Sequence, residues 1–181
     1  MRWILCLLIL LVVPAYADSM KLVWADEFDQ KGFPDSTFWS YETGFIRNME
    51  LQYYTAKRKE NARVENGMLV LETRRESFPN QAYDPAEKDD WRKNREYAEY
   101  TSAAIETKNK ISWTYGRIEV KAKLPDGRGL WPAIWMLGAD REKTGWPDCG
   151  EIDIMEFVGY RPDTISGTVH TADFNHVKKT Q

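Results

Sequence analysis

Three carboxylates lie within six residues of one apolar segment, 151–156. Acidic residues are rare inside strands, and an unpaired carboxylate in a core is costly. In a strand, Glu151 and Asp153 point to one face, and the isoleucines that follow them point to the other, towards a core. Strict alternation would bury Glu156, whereas a one-residue β-bulge at Met155 would return it to the acidic face. The pattern therefore predicts a bulged strand with three carboxylates on one face.

Carboxyl groups arranged in this way can cleave a glycosidic bond. Cleavage with retention of anomeric configuration needs a carboxylate nucleophile and a carboxylic acid about 5–5.5 Å apart. Glu151 and Glu156 can reach that separation from the two ends of a short strand segment. Asp153 between them raises the cost of ionising all three groups, so a proton is retained and one glutamate can act as an acid. The alternative is a solvated acidic face that pairs with Lys or Arg across the sheet.

The sequence around the acidic strand carries further motifs. They are Cys149–Phe157, Gly129–Gly138, Leu22–Phe28, Asn48–Tyr54, Tyr100–Ser102 and Tyr115–Arg117. Together they resemble glycoside hydrolase family 16 over most of the chain, and the spacing Glu-x-Asp-x-x-Glu resembles its laminarinase branch. The resemblance implies that Glu151 is the nucleophile, Glu156 the acid/base and Asp153 their helper.

The resemblance also implies a substrate and a fold. It predicts a retaining endo-hydrolase of β-1,3-glucan, with a concanavalin-like jelly-roll β-sandwich and a cleft across the concave sheet. A transglycosylase, or a hydrolase of mixed-linkage glucan, agar or carrageenan, is an alternative. So is a non-catalytic β-glucan-binding module, although such relatives have typically lost one or both glutamates.

Flat rings and polar side chains near the acids are expected to bind sugar. Trp131 and Trp135 are four residues apart, so they share a face if they belong to one unbroken strand. The resemblance places both tryptophans in the cleft, places His170 beside the catalytic strand, and has Arg47 and Asn48 contact sugar hydroxyls. Core packing is the alternative for the tryptophans, and a surface position is the alternative for His170.

A structural calcium ion is a further implication of the resemblance. Relatives often bind calcium on the convex side through a glutamate like Glu27, a carbonyl near a residue like Gly67, and an aspartate that would lie beyond Gln181. Calcium favours six to eight oxygen ligands, so these residues alone form an incomplete site. The predicted chemistry itself requires no cofactor.

Strand patterns predominate along the chain, and no long stretch has helical periodicity. Asn66-Gly67 between two apolar runs predicts a two-residue hairpin. Short strands without alternating helices predict an all-β antiparallel sandwich. The predicted strands are 62–65, 68–73, 103–107, 116–124, 133–137, 151–158 and 164–171.

The first residues have the features of a secretory signal. Arg2 precedes an apolar run, and Ala15-Tyr16-Ala17 fits the small-x-small cleavage rule, so residues 1–17 are predicted to be removed. The apolar run is shorter than the roughly 20 residues that span a bilayer. The mature protein, residues 18–181, is therefore expected to be one secreted catalytic domain without a membrane anchor.

Charge, cysteine content and length limit the other possibilities. A formal net charge of −3 gives no electrostatic support for nucleic-acid binding. Cys149 is the one cysteine left after removal of the signal, so no internal disulfide is expected. A monomer that binds a polysaccharide is predicted. Family members of this type continue with several more strands, so the sandwich is expected to be incomplete at its C-terminal end.

Overall fold

The computed structural model of the chain describes residues 20–180, and the predicted signal peptide lies outside them. The regular secondary structure of this part of the chain is almost entirely strand, and long turns and loops join the strands. The elements are β1 (Ser40–Tyr41), β2 (Gln52–Tyr54), β3 (Ala62–Glu65), β4 (Met68–Leu71), β5 (Arg74–Pro79), β6 (Tyr97–Ser102), β7 (Ile105–Glu106), β8 (Ala133–Leu137), α1 (Arg141–Thr144), β9 (Glu151–Phe157) and β10 (Ile165–His170).

Two three-stranded sheets carry most of the structure. In one, β9 lies between β8 and β10, and all pairs are antiparallel. In the other, β6 lies between β5 and β2. The β5–β6 pair is antiparallel, whereas β2 and β6 run parallel, which the sequence pattern did not predict. The antiparallel pairs β1–β7 and β3–β4 complete the described strands.

The predicted hairpin forms between β3 and β4. Glu65 lies opposite Met68, and the two residues between them, Asn66 and Gly67, have φ angles of 53° and 71°. A two-residue hairpin of type I′ needs a left-handed backbone at both central positions, which Asn and Gly tolerate best. The hairpin prediction is confirmed, with β4 ending at Leu71 rather than at residue 73.

The predicted strand 116–124 does not form. Its alternation of charged and apolar residues suits a strand, but a strand also needs a neighbour for its backbone hydrogen bonds. Within residues 20–180 no strand pairs with this segment. Its apolar residues instead line one side of a groove against Ile134, Ile154 and Met155. The predicted strand 103–107 is likewise reduced to the two residues of β7.

Aromatic side chains form the core beside β2 and β6. Phe45, Tyr53 and Ala98 are buried, and Phe78 and Trp91 pack against them. The rings of Phe45 and Tyr53 meet edge to face with their centroids 5.5 Å apart, a favourable aromatic geometry. This core anchors the chain on both sides of Arg47 and Asn48, two of the predicted sugar-binding residues.

A polar network joins the segment before β3 to β5 and β6. The fully buried side chain of Asn61 donates to Thr101 Oγ1 at 2.9 Å and accepts from Thr55 and Arg58 at 2.8 and 2.7 Å. Arg58 also forms a two-point ion pair with Glu76, at 2.6 and 3.0 Å. Because each buried polar group has a partner, the network stabilises the fold rather than strains it.

The face of the β8–β9–β10 sheet opposite the acids is less covered than expected. Ile152, Ile165 and Val169 are 48%, 56% and 58% exposed, so the prediction that Ile152 faces a core is wrong for residues 20–180. Phe157, which lies opposite Ile165, is by contrast 3% exposed, so the described residues cover only part of this face. It also contains no helix with the length and apolar character that crossing a membrane would require.

Candidate active site

The three acids of β9 point to one face of the sheet. β8 is uninterrupted from Ala133 to Leu137, and its alternate residues lie opposite Glu156, Asp153 and Glu151 in turn. Residues directly opposite each other in an antiparallel pair share a face, and alternate residues of one strand share a face as well. The three carboxylates therefore line one surface, as predicted.

A one-residue bulge in β9 produces this arrangement. Ile134 pairs with Met155 and the next residue of β8, Trp135, pairs with Asp153, so Ile154 is the additional residue. The predicted bulge is confirmed, with the extra residue one position before Met155. Both Ile154 and Met155 line the apolar groove on the opposite side of the sheet. Two successive residues on that side return Glu156 to the acidic side.

Trp146 contacts the first acid directly. Its indole Nε1–H donates a hydrogen bond to Glu151 Oε2 at 2.5 Å. Sequence reasoning did not assign Trp146 a role, because nothing in its spacing to β9 indicates that the chain turns back there. The chain between β8 and β9 turns back so that Gly138 lies against the backbone of Cys149. A Cβ at Gly138 would lie 2.2 Å from the carbonyl oxygen of Cys149. Only glycine fits at that point.

Asp153 and His170 form a buried pair in the middle of the site. Each is 6% exposed, and His170 Nε2 lies 3.3 Å from Asp153 Oδ2. Burial raises the pKa of Asp153, and the neighbouring Glu151 carboxylate raises it further, while His170 opposes the change. The expected effect of crowding carboxyl groups is therefore present at Asp153. That one of the glutamates acts as an acid stays a prediction.

Trp131 reaches the last acid of the strand. Its indole Nε1–H donates to Glu156 Oε1 at 3.1 Å, although the side chain is 63% exposed. β8 begins only at Ala133, so Trp131 and Trp135 do not belong to one unbroken strand. The assumption behind their shared face was wrong, yet both contact the acidic side. Indole donors thus lie at both ends of the acidic strand, Trp146 at Glu151 and Trp131 at Glu156.

Arg47 joins the site from the core side. Its guanidinium lies 5.2 Å from the ring centre of Trp135 and 5.6 Å from that of Tyr54, and it forms an ion pair with Glu42. Because Trp135 lies opposite Asp153, Arg47 is placed beside the acidic face. The adjacent Asn48 is exposed in a turn with a φ angle of 53°.

Two partly buried polar groups lie behind Arg47. The hydroxyl of Tyr54 donates to Glu50 at 3.1 Å and accepts from Gln52 at 2.9 Å. Burial, reinforced by the charge of Glu50, raises the pKa of Tyr54 to about 12, so the hydroxyl keeps its proton. Burial also raises the pKa of Glu50. The two hydrogen bonds fix the Tyr54 ring on which Arg47 stacks, consistent with a structural role for Glu50.

Possible metal ligands were also located. Among residues 20–180, the group of three potential ligand side chains is Glu151, Asp153 and His170, whose ligand atoms lie within 4.8 Å of one another. The contact between His170 and Asp153 and the hydrogen bond from Trp146 to Glu151 already explain why these three side chains lie close together. Glu27 lines a cavity near β3, and Gly67 lies in the hairpin turn that follows β3. Glu27 does not belong to such a group of side chains, and calcium stays a prediction.

The fold and the site define a class of β-sandwich proteins that carry three carboxylates on one face of a bulged strand. A model of the glycosyl hydrolases family 16 matches residues 49–180, and the chain belongs to this family. It is 51% identical over 170 residues to a beta-glucanase of Rhodothermus marinus, a match that covers 91% of this chain and 53% of the relative. The family and the jelly-roll fold predicted from the sequence are both confirmed.

Solved structures support the same assignment. The laminarinase of Rhodothermus marinus matches with a TM-score of 0.75 and 52% identity, over 89% of this chain and 59% of that one. A variant of SCLam, a non-specific endo-beta-1,3(4)-glucanase, matches with a TM-score of 0.75 and 48% identity over the same shares. That structure presents 1,3-beta-D-cellobiosyl-glucose at its active site. The chain thus spans little more than half the length of these relatives.

Proposed function

We propose that the protein is a retaining endo-β-1,3-glucanase that cleaves laminarin-like glucan by double displacement. The observation that carries this proposal is the placement of Glu151, Asp153 and Glu156 on one face of a bulged strand, with an indole donor at each end. The similarity to a beta-glucanase and a laminarinase supports the same substrate class.

In the first step, the Glu151 carboxylate attacks the anomeric carbon of the sugar. A bond forms between the carboxylate oxygen and that carbon while the glycosidic bond breaks, and Glu156 gives its proton to the departing oxygen. Trp146 holds Oε2 of Glu151, so the other carboxylate oxygen is the one presented to the sugar. The product of this step is a glycosyl-enzyme.

In the second step, water releases the sugar. Glu156, now ionised, takes a proton from a water molecule, whose oxygen bonds to the anomeric carbon as the bond to Glu151 breaks. Both glutamates return to their starting states, and two inversions leave the anomeric configuration unchanged. Trp131, which donates to Glu156, orients this carboxyl group in both steps.

Asp153 supports the nucleophile rather than reacting itself. Burial and the neighbouring Glu151 carboxylate raise the pKa of Asp153, so it binds a proton more readily than an ordinary aspartate, and in its protonated form it can donate a hydrogen bond to Glu151. Such a bond steadies the Glu151 carboxylate before attack and its departure from the sugar afterwards. His170, held against Asp153 at 3.3 Å, restricts the position of this helper.

The binding surface suits a neutral glucan. Trp131 and Trp135 offer flat apolar rings for the C–H faces of glucose units, and Arg47 and Asn48 offer donors for hydroxyl groups. Internal cleavage of the polymer is proposed because the chain is similar to SCLam, a non-specific endo-beta-1,3(4)-glucanase. We also propose that residues 1–17 direct secretion and that the mature protein is a monomer.

Product analysis tests this function. The full-length protein is incubated with laminarin, mixed-linkage β-glucan or agarose, and the products are followed by size and by the anomeric signals in proton NMR. We expect laminarin to yield oligosaccharides of several lengths early in the reaction, with the β-anomer formed first. N-terminal sequencing of the exported protein, expected to begin at Asp18, tests the signal.

Other outcomes would point to the alternatives. An α-anomer formed first would overturn the retaining mechanism. Products longer than the starting oligosaccharide would indicate a transglycosylase, and preferential cleavage of agarose would assign a different polysaccharide. Binding of laminarin without cleavage by the folded protein would indicate a binding module.

A further inference from the structure

The segment that follows β10 folds around one buried asparagine. Asn175 is 1% exposed, and its side-chain nitrogen donates to the carbonyl oxygens of Thr171 and Ala172 at 3.0 and 3.3 Å. Its side-chain oxygen accepts from the backbone N–H of Lys178 at 3.0 Å. A buried amide with this many partners restricts the backbone on both sides of it. The position of the next residue, His176, is therefore well defined.

His176 packs against two rings of the active site. Its ring centre lies 4.9 Å from that of Trp146, with 30° between the planes, and 5.2 Å from that of His170, at 90°. Both distances fall within the range in which ring pairs attract each other. Trp146 and His170 are themselves 6.1 Å apart. His176 completes a group of three rings.

The two rings that His176 contacts are the ones that contact the acids. Trp146 donates to Glu151 at 2.5 Å, and His170 lies 3.3 Å from Asp153. His176 forms no hydrogen bond or ion pair with either acid among the described contacts. Its influence on them must therefore pass through the two rings.

We propose that His176 is a positioning residue for the catalytic acids. Its ring prevents Trp146 from turning away from Glu151 and keeps His170 against Asp153. Hydrogen bonds weaken steeply when the donor turns away from the acceptor, so a small rotation of the indole would release the nucleophile. The kinetic consequence rests on the proposed glucanase function, whereas the placement of the indole does not.

Substitution of His176 tests this role through catalysis. His176→Ala removes the ring and is expected to lower kcat on laminarin by about 10- to 100-fold, with a much smaller change in KM, because misplaced reacting groups slow chemistry more than binding. His176→Phe restores a flat ring and should recover most of the lost rate. Phe174→Ala, at an exposed side chain of the same segment, is the matched control and should behave like the wild type.

A spectroscopic measurement tests the same role without activity. The indole N–H signal of Trp146 is identified in a nitrogen-15 NMR spectrum by its loss in Trp146→Phe. We expect His176→Ala to shift this signal, because the hydrogen bond to Glu151 is lost or lengthened. His176→Phe and Phe174→Ala should leave it close to its wild-type position.

The two measurements separate failure of this inference from failure of the proposed function. If His176→Ala leaves both kcat and the indole signal unchanged, His176 has no positioning role, even when laminarin is the substrate. If the wild type does not cleave laminarin, the function is wrong and the indole signal alone decides the inference. If the alanine variant does not fold, His176→Leu replaces it, because leucine fills the space without a flat ring.

Discussion

His170 lies directly opposite Glu151 in the β9–β10 pair, yet its imidazole reaches diagonally to Asp153 at 3.3 Å. The diagonal contact brings one base and two acids together, with His170 and Asp153 buried and Glu151 partly buried. The stability of the fold gains little from such crowding, because burying charged groups is costly. The cost is explained if the group serves the reaction of Glu151, and this explanation leads to the first prediction.

Asp153→Asn should make the protein more stable near neutral pH while slowing catalysis. The folded-state pKa of Asp153 is raised above its ordinary value of 3.8, so its contribution favours folding below that value and is lost as pH rises through the raised pKa. Asparagine stays neutral, so the variant does not lose this stability as pH rises. Melting temperatures should therefore differ more near pH 7 than near pH 4, and kcat should fall by about 10-fold or more.

Asp163→Asn, at an exposed position of a loop, is the control for this substitution and should change neither quantity. An equal gain in melting temperature at both pH values would contradict the role of ionisation. A lower melting temperature near neutral pH would contradict the cost of burying the Asp153 charge.

Glu151→Gln and Glu156→Gln should each reduce kcat on laminarin by several orders of magnitude. Glutamine nearly matches glutamate in shape but can neither attack the anomeric carbon nor transfer a proton. Initial rates of reducing-sugar release measure the loss, and circular dichroism checks the fold. Glu142→Gln, on the exposed helix α1, is the control. Near-normal turnover in either active-site variant would refute the assigned roles.

Arg47→Lys should weaken substrate binding more than it slows chemistry. The planar guanidinium pairs with Glu42 and stacks on Trp135 and Tyr54, and a lysine ammonium cannot reproduce both contacts. We expect KM for laminarin oligosaccharides to rise by about 10-fold, with kcat within about 3-fold of the wild type. Arg161→Lys, on an exposed loop, should change neither constant. A fall in kcat alone would place Arg47 in the chemical step instead.

Asn61→Ala should lower stability by about 2–4 kcal/mol, because it leaves several buried partners unsatisfied at once. The amide of Asn61 bonds to Thr55, Arg58 and Thr101 and to the backbone of Glu72. Urea denaturation monitored by tryptophan fluorescence measures the change. Gln81→Ala removes an exposed amide and should cost far less. A loss below about 1 kcal/mol would show that the network is solvated rather than structural.

Glu76→Gln should destabilise the protein in a pH-dependent way. Hydrogen bonds from Arg58 and Thr101 lower the pKa of Glu76 to about 2, so its stabilising effect is present above its ordinary pKa of 4.5 and is lost as pH falls towards 2. The difference in unfolding free energy between variant and wild type should be largest near neutral pH and shrink across that range. Glu99→Gln, on the exposed side of β6, should show no such trend.

Local patterns in the sequence predicted the central features of the site. The spacing of Glu151, Asp153 and Glu156 implied a bulge, since alternation in a strand permits no other way to place three acids on one face. The Asn66-Gly67 pair likewise predicted its hairpin, because only a left-handed turn matches the twist of the strands. Such features depend on a few neighbouring residues, so they can be predicted without a structure.

Other features depend on which distant segments meet. Residues 116–124 have the alternation of a strand but no strand partner among residues 20–180, and sequence periodicity carries no information on partners. The parallel pairing of β2 with β6 could not be predicted from the sequence for the same reason.

The sequence by itself determined the spacing of the three carboxylates, their common face and the family of the chain, because motif spacing and strand periodicity are properties of short segments. Only the tertiary structure decided that Trp146 donates to Glu151, that Arg47 stacks on Trp135, and that His176 packs against the rings of Trp146 and His170. These contacts join elements far apart in the chain or separated by turns. Their geometry is set by sheet register and by the path of the loops, which no local pattern specifies.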